Sequence, residues 1–368
     1  MNERLQRLAE IGQSVWIDTL SRDDIQNGEL KGMIDSGIVG VTSNPTIFQK
    51  AISESSLYDE QLEELSEREG DPKEIFLELA RGDIQDACDL LMPIYERTNR
   101  LDGYVSLEVS PDLAYDTLAT VGEATRLHEL VDRPNLMVKI PATLPGLAAI
   151  EEMISAGYSI NVTLIFSLKR YRAVAGAYVR GLQRLVAAGG DPSRVASVAS
   201  FFVSRVDTEA DRRLDELGGH EDLKGKLAIA NAKLAYAAFK EIFSGEDWRF
   251  LQSKGATVQR PLWASTSTKN PAYRDVVYVE ELVGPDTVNT VPSSTLEAFL
   301  DHGEVRGNVL EEDLGEARGL LDELREAGVD YEEVTEVLEK EGVRKFADSF
   351  DELIEVIEAK SRRVVHHS

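Results

Sequence analysis

The sequence predicts a closed (β/α)8 barrel with additional helices. Three observations carry this expectation. Short apolar runs recur eight times along the 368 residues, helix-patterned stretches separate them, and polar residues gather near the ends of the runs. Alternating strand and helix signals imply parallel βα units, and eight such units close a barrel whose site lies where the strands end. A doubly wound open sheet is the alternative for the same alternation. No GxGxxG follows the first run to support a dinucleotide-binding version of it. One barrel domain over residues 1–368 is expected.

The elements follow in order. "MNERLQRLAE" reads as the start of an amphipathic helix, not as a secretory leader. Candidate strands are "SVWIDTL" (14–20), "GIVGVTS" (37–43), "GYVSLEVS" (103–110), "NLMVKIPA" (135–142), "SINVTLIFS" (159–167), "RVASVASFFV" (194–203), "RPLWAST" (260–266) and "DVVYVEEL" (275–282). Residues 50–100 read as a helical insertion between the second and third strands, with Pro72 suited to a first helical turn. Helices are also expected over Asp112–Leu130, Leu168–Ala188 and Leu223–Phe243. The segment from Glu304 to Lys360 reads as acidic amphipathic helix lying around the barrel, its charges solvated; a partner-binding surface is the other reading. The tail "RRVVHHS" is given no role.

Composition excludes several function classes. The formal net charge is -26, and no basic run suggests nucleic-acid binding. No apolar stretch approaches the ~18 residues of a membrane span. The one cysteine, Cys88, cannot form an internal disulfide; it reads as core and suits a reducing cytoplasm. None of the five histidines lies in a strand-end motif: His128 falls in a helix, His220 and His302 beside glycines in expected turns, and His366 and His367 in the tail. Neither a metal centre nor a Ser-His-Asp triad is therefore expected. The acidic excess points to a soluble protein that resists association, and a homo-oligomer stays open as an assembly.

The polar residues near the strand ends form a set. They are Asp18, Asn44, Glu108, Lys139, Asn161, Thr163, Ser200 and Arg205, followed by "ASTSTKN" after the seventh run. Leaving such groups buried and unpaired costs several kcal/mol each, roughly. Convergence at one end of a barrel makes them a candidate site. Lys139 sits inside the apolar run "LMVKIPAT" and has two readings. It is a structural ion-pair partner of Asp18 or Glu108, or it is a Schiff-base nucleophile. Burial disfavours a charged ammonium, and a neutral amine attacks a ketone to give an iminium, the electron sink for carbon–carbon cleavage. Two carboxylates would then carry protons.

The runs "WIDTLSRDDI", "GIVGVTSNPTIFQKAI", "VSLEVSP", "LMVKIPAT", "SINVTLIFS" and "PLWASTSTKNP", in this order, resemble transaldolase, and most closely the long bacterial branch of that family. The likeness extends from about Val15 to the closing "GVRKFADSFDELIEVIEAK". It implies transfer of a dihydroxyacetone unit between sedoheptulose 7-phosphate or fructose 6-phosphate and glyceraldehyde 3-phosphate or erythrose 4-phosphate. That reaction belongs to the non-oxidative pentose phosphate pathway and needs no cofactor. By this resemblance Lys139 is the Schiff-base lysine, Glu108 works with a water on the iminium, Thr163 helps hold that water, and Asp18 is the acid/base at the C4 hydroxyl. Asn44, Asn161 and Ser200 would hold the dihydroxyacetone fragment, and Arg205, Ser267 and Lys269 the phosphate. Lys269 stands where the better-known branch has arginine, which replaces a bidentate fork by a point charge.

Plainer readings stand beside these roles. Asn44 caps a helix, Thr163 and Ser200 fill space, Lys269 is a solvated loop residue, Arg205 an ion-pair partner, and Trp16 and Trp263 packing aromatics. Two other functions remain. A fructose 6-phosphate aldolase-type lyase would release dihydroxyacetone; related lyases have glutamine where this chain has Glu108 and tyrosine where it has Phe202. A non-catalytic sugar-phosphate-binding barrel would need no reactive lysine.

Overall fold

The computed structural model describes residues 1–68 and 70–365. Eight parallel strands close into a barrel in sequence order, β8 returning to β1. They are β1 Gln13–Ile17, β2 Gly40–Thr42, β3 Tyr104–Glu108, β4 Leu136–Pro141, β5 Ile160–Ile165, β6 Ser197–Phe202, β7 Arg260–Ala264 and β8 Thr287–Val291. Helices follow the strands and ring the barrel, so that Phe201 and Trp263, edge to face at 6.1 Å, are wholly buried.

Seven expected strands fall on their runs, β1 starting one residue earlier at Gln13, and the eighth does not. Residues 275–282 form a turn and the short helix Val277–Glu280, while "TVNTV" at 287–291 closes the barrel. The apolar character of 276–279 comes from burial, which a short buried helix shares with a strand. The true strand carries Asn289 and Thr290, whose polarity hid it. Thr266 Oγ1 donates to Asn289 Oδ1 at 2.9 Å, so the polar strand is satisfied inside.

The insertion is helical, as Pro45–Glu54, Asp59–Arg68 and Pro72–Arg97. Pro72 is at the first turn, and Asp71 caps that helix by accepting from Lys73 N at 2.9 Å. Helices occupy Thr117–Val131, Leu168–Ala187 and Leu227–Ile242, close to expectation, with short 3-10 turns before the first and third. His302 ends the helix Ser293–His302 instead of lying in a turn. In the C-terminal segment residues 304–313 are not helical; helices run over Leu314–Ala327 and Tyr331–Val365. His366 and His367 lie outside the described residues. Cys88 is fully buried, as expected, and burial pushes its thiol pKa up.

The N-terminal end of the barrel is plugged. Arg260 pairs with Asp102 at 2.9 Å, Ser14 Oγ and Trp16 Nε1 donate to the same carboxylate, and Arg260 donates to Ser14 Oγ. Trp16 fills the interior above this floor. A Cβ on Gly40 would meet its indole at 2.5 Å, so β2 approaches the ring only because residue 40 lacks a side chain. Among the described residues no helix is long and apolar enough to cross a membrane.

Candidate active site

The open end of the barrel holds a cavity of about 290 Å³. Asp18, Asn44, Lys139, Thr163, Ser200, Arg205, Ser267 and Lys269 line it, together with Thr42, Phe202, Thr290 and Phe346. Asp18 follows β1 and Asn44 follows β2; Lys139, Thr163 and Ser200 are in β4, β5 and β6; Arg205 opens the helix after β6, and Ser267 and Lys269 are in the loop after β7. With Thr290 in β8, seven of the eight strands send residues to one hollow, as a barrel's open end allows. A larger hollow, about 840 Å³, opens among the starts of β4, β5 and β6, and contains none of these residues.

Lys139 is only 5% exposed. Its Nζ lies 3.1 Å from Glu108 Oε2 and donates to the Ser43 carbonyl at 3.0 Å. β3 and β4 pair Glu108 directly against Lys139, so the contact is built into the register. An unpaired buried ammonium would cost several kcal/mol, roughly, and these two partners offset that cost. Glu108 lies behind the main cavity, bordering a small pocket with Ser43, Phe76 and Phe350. Burial raises its pKa; Lys139 opposes that shift and Asp18 adds to it.

Asp18 accepts from Thr42 Oγ1 at 2.7 Å, and Thr42 is in turn bonded to Thr290 at 2.7 Å. Burial raises the Asp18 pKa against the pull of Lys139, the Thr42 hydroxyl and Arg205. No ion pair forms between Asp18 and Lys139, so of the two structural partnerships expected, only the one with Glu108 exists. Two carboxyls whose pKa values burial raises stand beside one amine, the kind of set that acid–base work demands.

Asn161 sits deeper. Its amide donates to Ser106 Oγ at 3.0 Å and accepts from Ser200 Oγ at 2.7 Å. Thr163 Oγ1 is buried with no hydrogen-bond partner among the described residues, which marks it as a group able to hold a water or substrate hydroxyl. A bulge beside it shifts the β5–β6 register between Val162 and Ile165, and Leu164 there has φ of 60°. Such bulges re-aim side chains next to sites. Asn44 caps the Pro45–Glu54 helix by accepting from Ile47 N at 3.1 Å, so capping and cavity lining coincide.

The outer rim is cationic. No carboxylate lies within ion-pairing distance of Arg205 among the described residues, which overturns its reading as an ion-pair partner. Its guanidinium carbon stands 5.2 Å from the Phe202 ring centroid and 6.0 Å from that of Phe346. Burial lowers its pKa, with Asp18 and Glu341 opposing, and it remains a cation. Lys269 is exposed and donates to Ser267 Oγ at 2.8 Å. Among the described residues no cluster of histidine, cysteine or carboxylate side chains could hold a metal.

Thr42, Thr290 and Phe346 are among the lining residues that sequence reasoning missed. The threonines look like ordinary β-branched strand residues. Phe346 belongs to a helix whose apolar positions read as core.

Fold and site together define a (β/α)8 barrel with a lysine–carboxylate centre under a cationic rim. The family described as transaldolase/fructose-6-phosphate aldolase matches residues 15–357. The transaldolase of Acidothermus cellulolyticus is 52% identical over 355 residues, covering 96% of this chain and 95% of its own. Transaldolase 2 of Streptomyces avermitilis is 50% identical over 367 residues, 99% of each chain. The transaldolase of Mycolicibacterium smegmatis is 49% identical over 362 residues, 98% of each. The chain belongs to the transaldolase/fructose-6-phosphate aldolase family.

Proposed function

We propose that this enzyme is a transaldolase whose nucleophile is Lys139. Its Nζ attacks the C2 carbonyl of sedoheptulose 7-phosphate or fructose 6-phosphate. Glu108, 3.1 Å from that nitrogen, moves protons through a water to the carbinolamine hydroxyl, which leaves as water as the iminium forms. The unpartnered Thr163 hydroxyl suits that water. Asp18 takes the C4 hydroxyl proton, the C3–C4 bond breaks, and its electrons flow into the iminium to give an enamine. An aldose phosphate leaves. The enamine carbon adds to the acceptor aldehyde, Asp18 returns the proton, and water releases the new ketose. Asn44, Asn161 and Ser200 hold the three-carbon fragment, while Arg205, Ser267 and Lys269 hold phosphate. The lysine is the electron sink, so the reaction calls on no cofactor.

The observation that carries this reading is the buried Lys139–Glu108 pair sharing one end of the barrel with Asp18, both carboxyls shifted towards proton carrying. The sugar phosphates and the single buried cysteine suit a cytoplasmic enzyme of the pentose phosphate pathway. A coupled assay tests the function. Fructose 6-phosphate with erythrose 4-phosphate is expected to yield glyceraldehyde 3-phosphate; without the acceptor, product formation is expected to stall. Equal production without acceptor, with free dihydroxyacetone appearing, would make it a lyase.

A further inference from the structure

The helix Tyr331–Val365 does more than wrap the barrel. It is fixed along its length. Tyr331 donates to Asn231 Oδ1 at 2.6 Å and accepts from Leu168 N, Glu339 pairs with Arg170 at 3.0 Å, Thr46 bonds Ser349 at 2.9 Å, and Lys360 reaches the Ser55 carbonyl at 2.8 Å. Between these ties, Gly342, Phe346 and Phe350 fall at i, i+4 and i+8, on one face. A Cβ on Gly342 would stand 3.0 Å from Leu164, the bulged residue of β5, so the helix comes close to the strand end there. Phe350 meets Phe76 edge to face at 5.8 Å and borders the small pocket beside Glu108. Phe346, 7% exposed, stands over the cavity itself. Its ring centroid is 5.8 Å from Lys139 Nζ and 6.0 Å from the Arg205 guanidinium.

We infer that Phe346 is a specificity-determining residue: its ring shields the Lys139 adduct from water and steadies Arg205, so that the enamine waits for an acceptor aldehyde instead of being quenched. This rests on the transaldolase reading. The chemistry gives the enamine two fates. In transfer, its nucleophilic carbon bonds to the acceptor carbonyl carbon, whose oxygen takes a proton. In quenching, the same carbon takes a proton, water adds at C2, and the carbon–nitrogen bond breaks, returning the lysine amine and releasing dihydroxyacetone. Both fates end with water adding at C2, but only quenching begins with a proton delivered to the enamine carbon, so an apolar ring that keeps proton-donating water from the waiting adduct slows quenching selectively. The ring also lies within cation–π range of a guanidinium that no carboxylate pairs among the described residues, leaving that cation for the acceptor phosphate. One residue thereby touches both requirements of transfer.

The test is the partition between dihydroxyacetone released and glyceraldehyde 3-phosphate formed, with fructose 6-phosphate and saturating erythrose 4-phosphate. Phe346→Ala is expected to raise that ratio about tenfold or more, and Phe346→Leu, which keeps an apolar cover, by a smaller factor in the same direction. A purely structural role would lower total turnover and leave the ratio unchanged. An unchanged ratio in a folded Phe346→Ala would overturn the inference; should that variant not fold, an unchanged ratio in Phe346→Leu would do so. Borohydride trapping on the parent enzyme separates the two claims, since an absent Lys139 adduct there defeats the transaldolase reading itself.

Discussion

Arg205 and Lys269 are both cations at the rim, and the structure separates their contributions. Arg205 is largely buried, has no paired carboxylate among the described residues, and stands against two aromatic rings. Lys269 is exposed and tied to a serine hydroxyl. Two unit charges about 4 Å apart attract by ~4 kcal/mol at the effective dielectric of a protein boundary and by ~1 kcal/mol in water. Desolvation and lost side-chain freedom take part of each, and hydrogen bonds to charged groups net ~1.5–3 kcal/mol. Arg205→Ala is therefore expected to lose about 2–3 kcal/mol of phosphate binding, roughly 30- to 150-fold in kcat/KM, and Lys269→Ala less than ~1 kcal/mol, below about fivefold. The smaller effect should shrink further as salt is added, because the exposed charge is screened. The assay is the coupled one with fructose 6-phosphate and erythrose 4-phosphate at two ionic strengths. Equal losses in the two variants, or a larger loss in Lys269→Ala, would refute this division of labour and move the phosphate outwards.

Three further outcomes follow from the same geometry. Asp18→Asn should cut turnover by ~10²–10⁴-fold while still forming the iminium, so a donor adduct accumulates and is trapped by borohydride; a folded variant that traps nothing would show that Asp18 acts earlier. Glu108→Gln should instead slow both formation and hydrolysis of the iminium, seen as slow adduct growth in single-turnover mass spectrometry; adduct formation at the parent rate would remove Glu108 from that role. Asp207, fully buried and accepting from Ala228 N and the Tyr278 hydroxyl, has its pKa raised from 3.8 to about 7, chiefly by burial. The folded state thus keeps a proton that the unfolded chain releases near pH 4, and stability falls as pH rises from there to about 7. One such proton changes the slope by at most ~1.4 kcal/mol per pH unit, and Asp207→Asn should remove that contribution from melting curves between pH 5 and 7; an unchanged slope would contradict it.

Much of this site was legible because strands have a period of two. Lys139 and Glu108 each interrupt an apolar run, and opposing register makes them partners. Asp18, Thr163 and Ser200 stood out for the same reason. The last strand was not legible, since polar Asn289 and Thr290 are satisfied inside the barrel while Val276–Val279 are apolar for another cause. Arg205 invited an ion-pair reading because sequence carries no information on whether a carboxylate comes near it. Phe346 could not be placed, being some two hundred residues beyond Lys139 in chain order and on a helix patterned like any other amphipathic one. Leu164 gives no local sign of its bulge, as a leucine is an unusual choice for a left-handed backbone. Local patterns reveal what a strand presents to its own barrel; what a distant helix lays across the mouth depends on tertiary packing.

The central claim is that Lys139 forms the covalent bond to substrate. Incubation with fructose 6-phosphate, reduction with borohydride and peptide mapping by mass spectrometry test it directly. The reduced three-carbon adduct is expected on the peptide carrying Lys139, and Lys139→Arg, which keeps the charge but forms no iminium, should yield neither adduct nor turnover. An adduct on another lysine, or full activity in Lys139→Arg, would contradict the account.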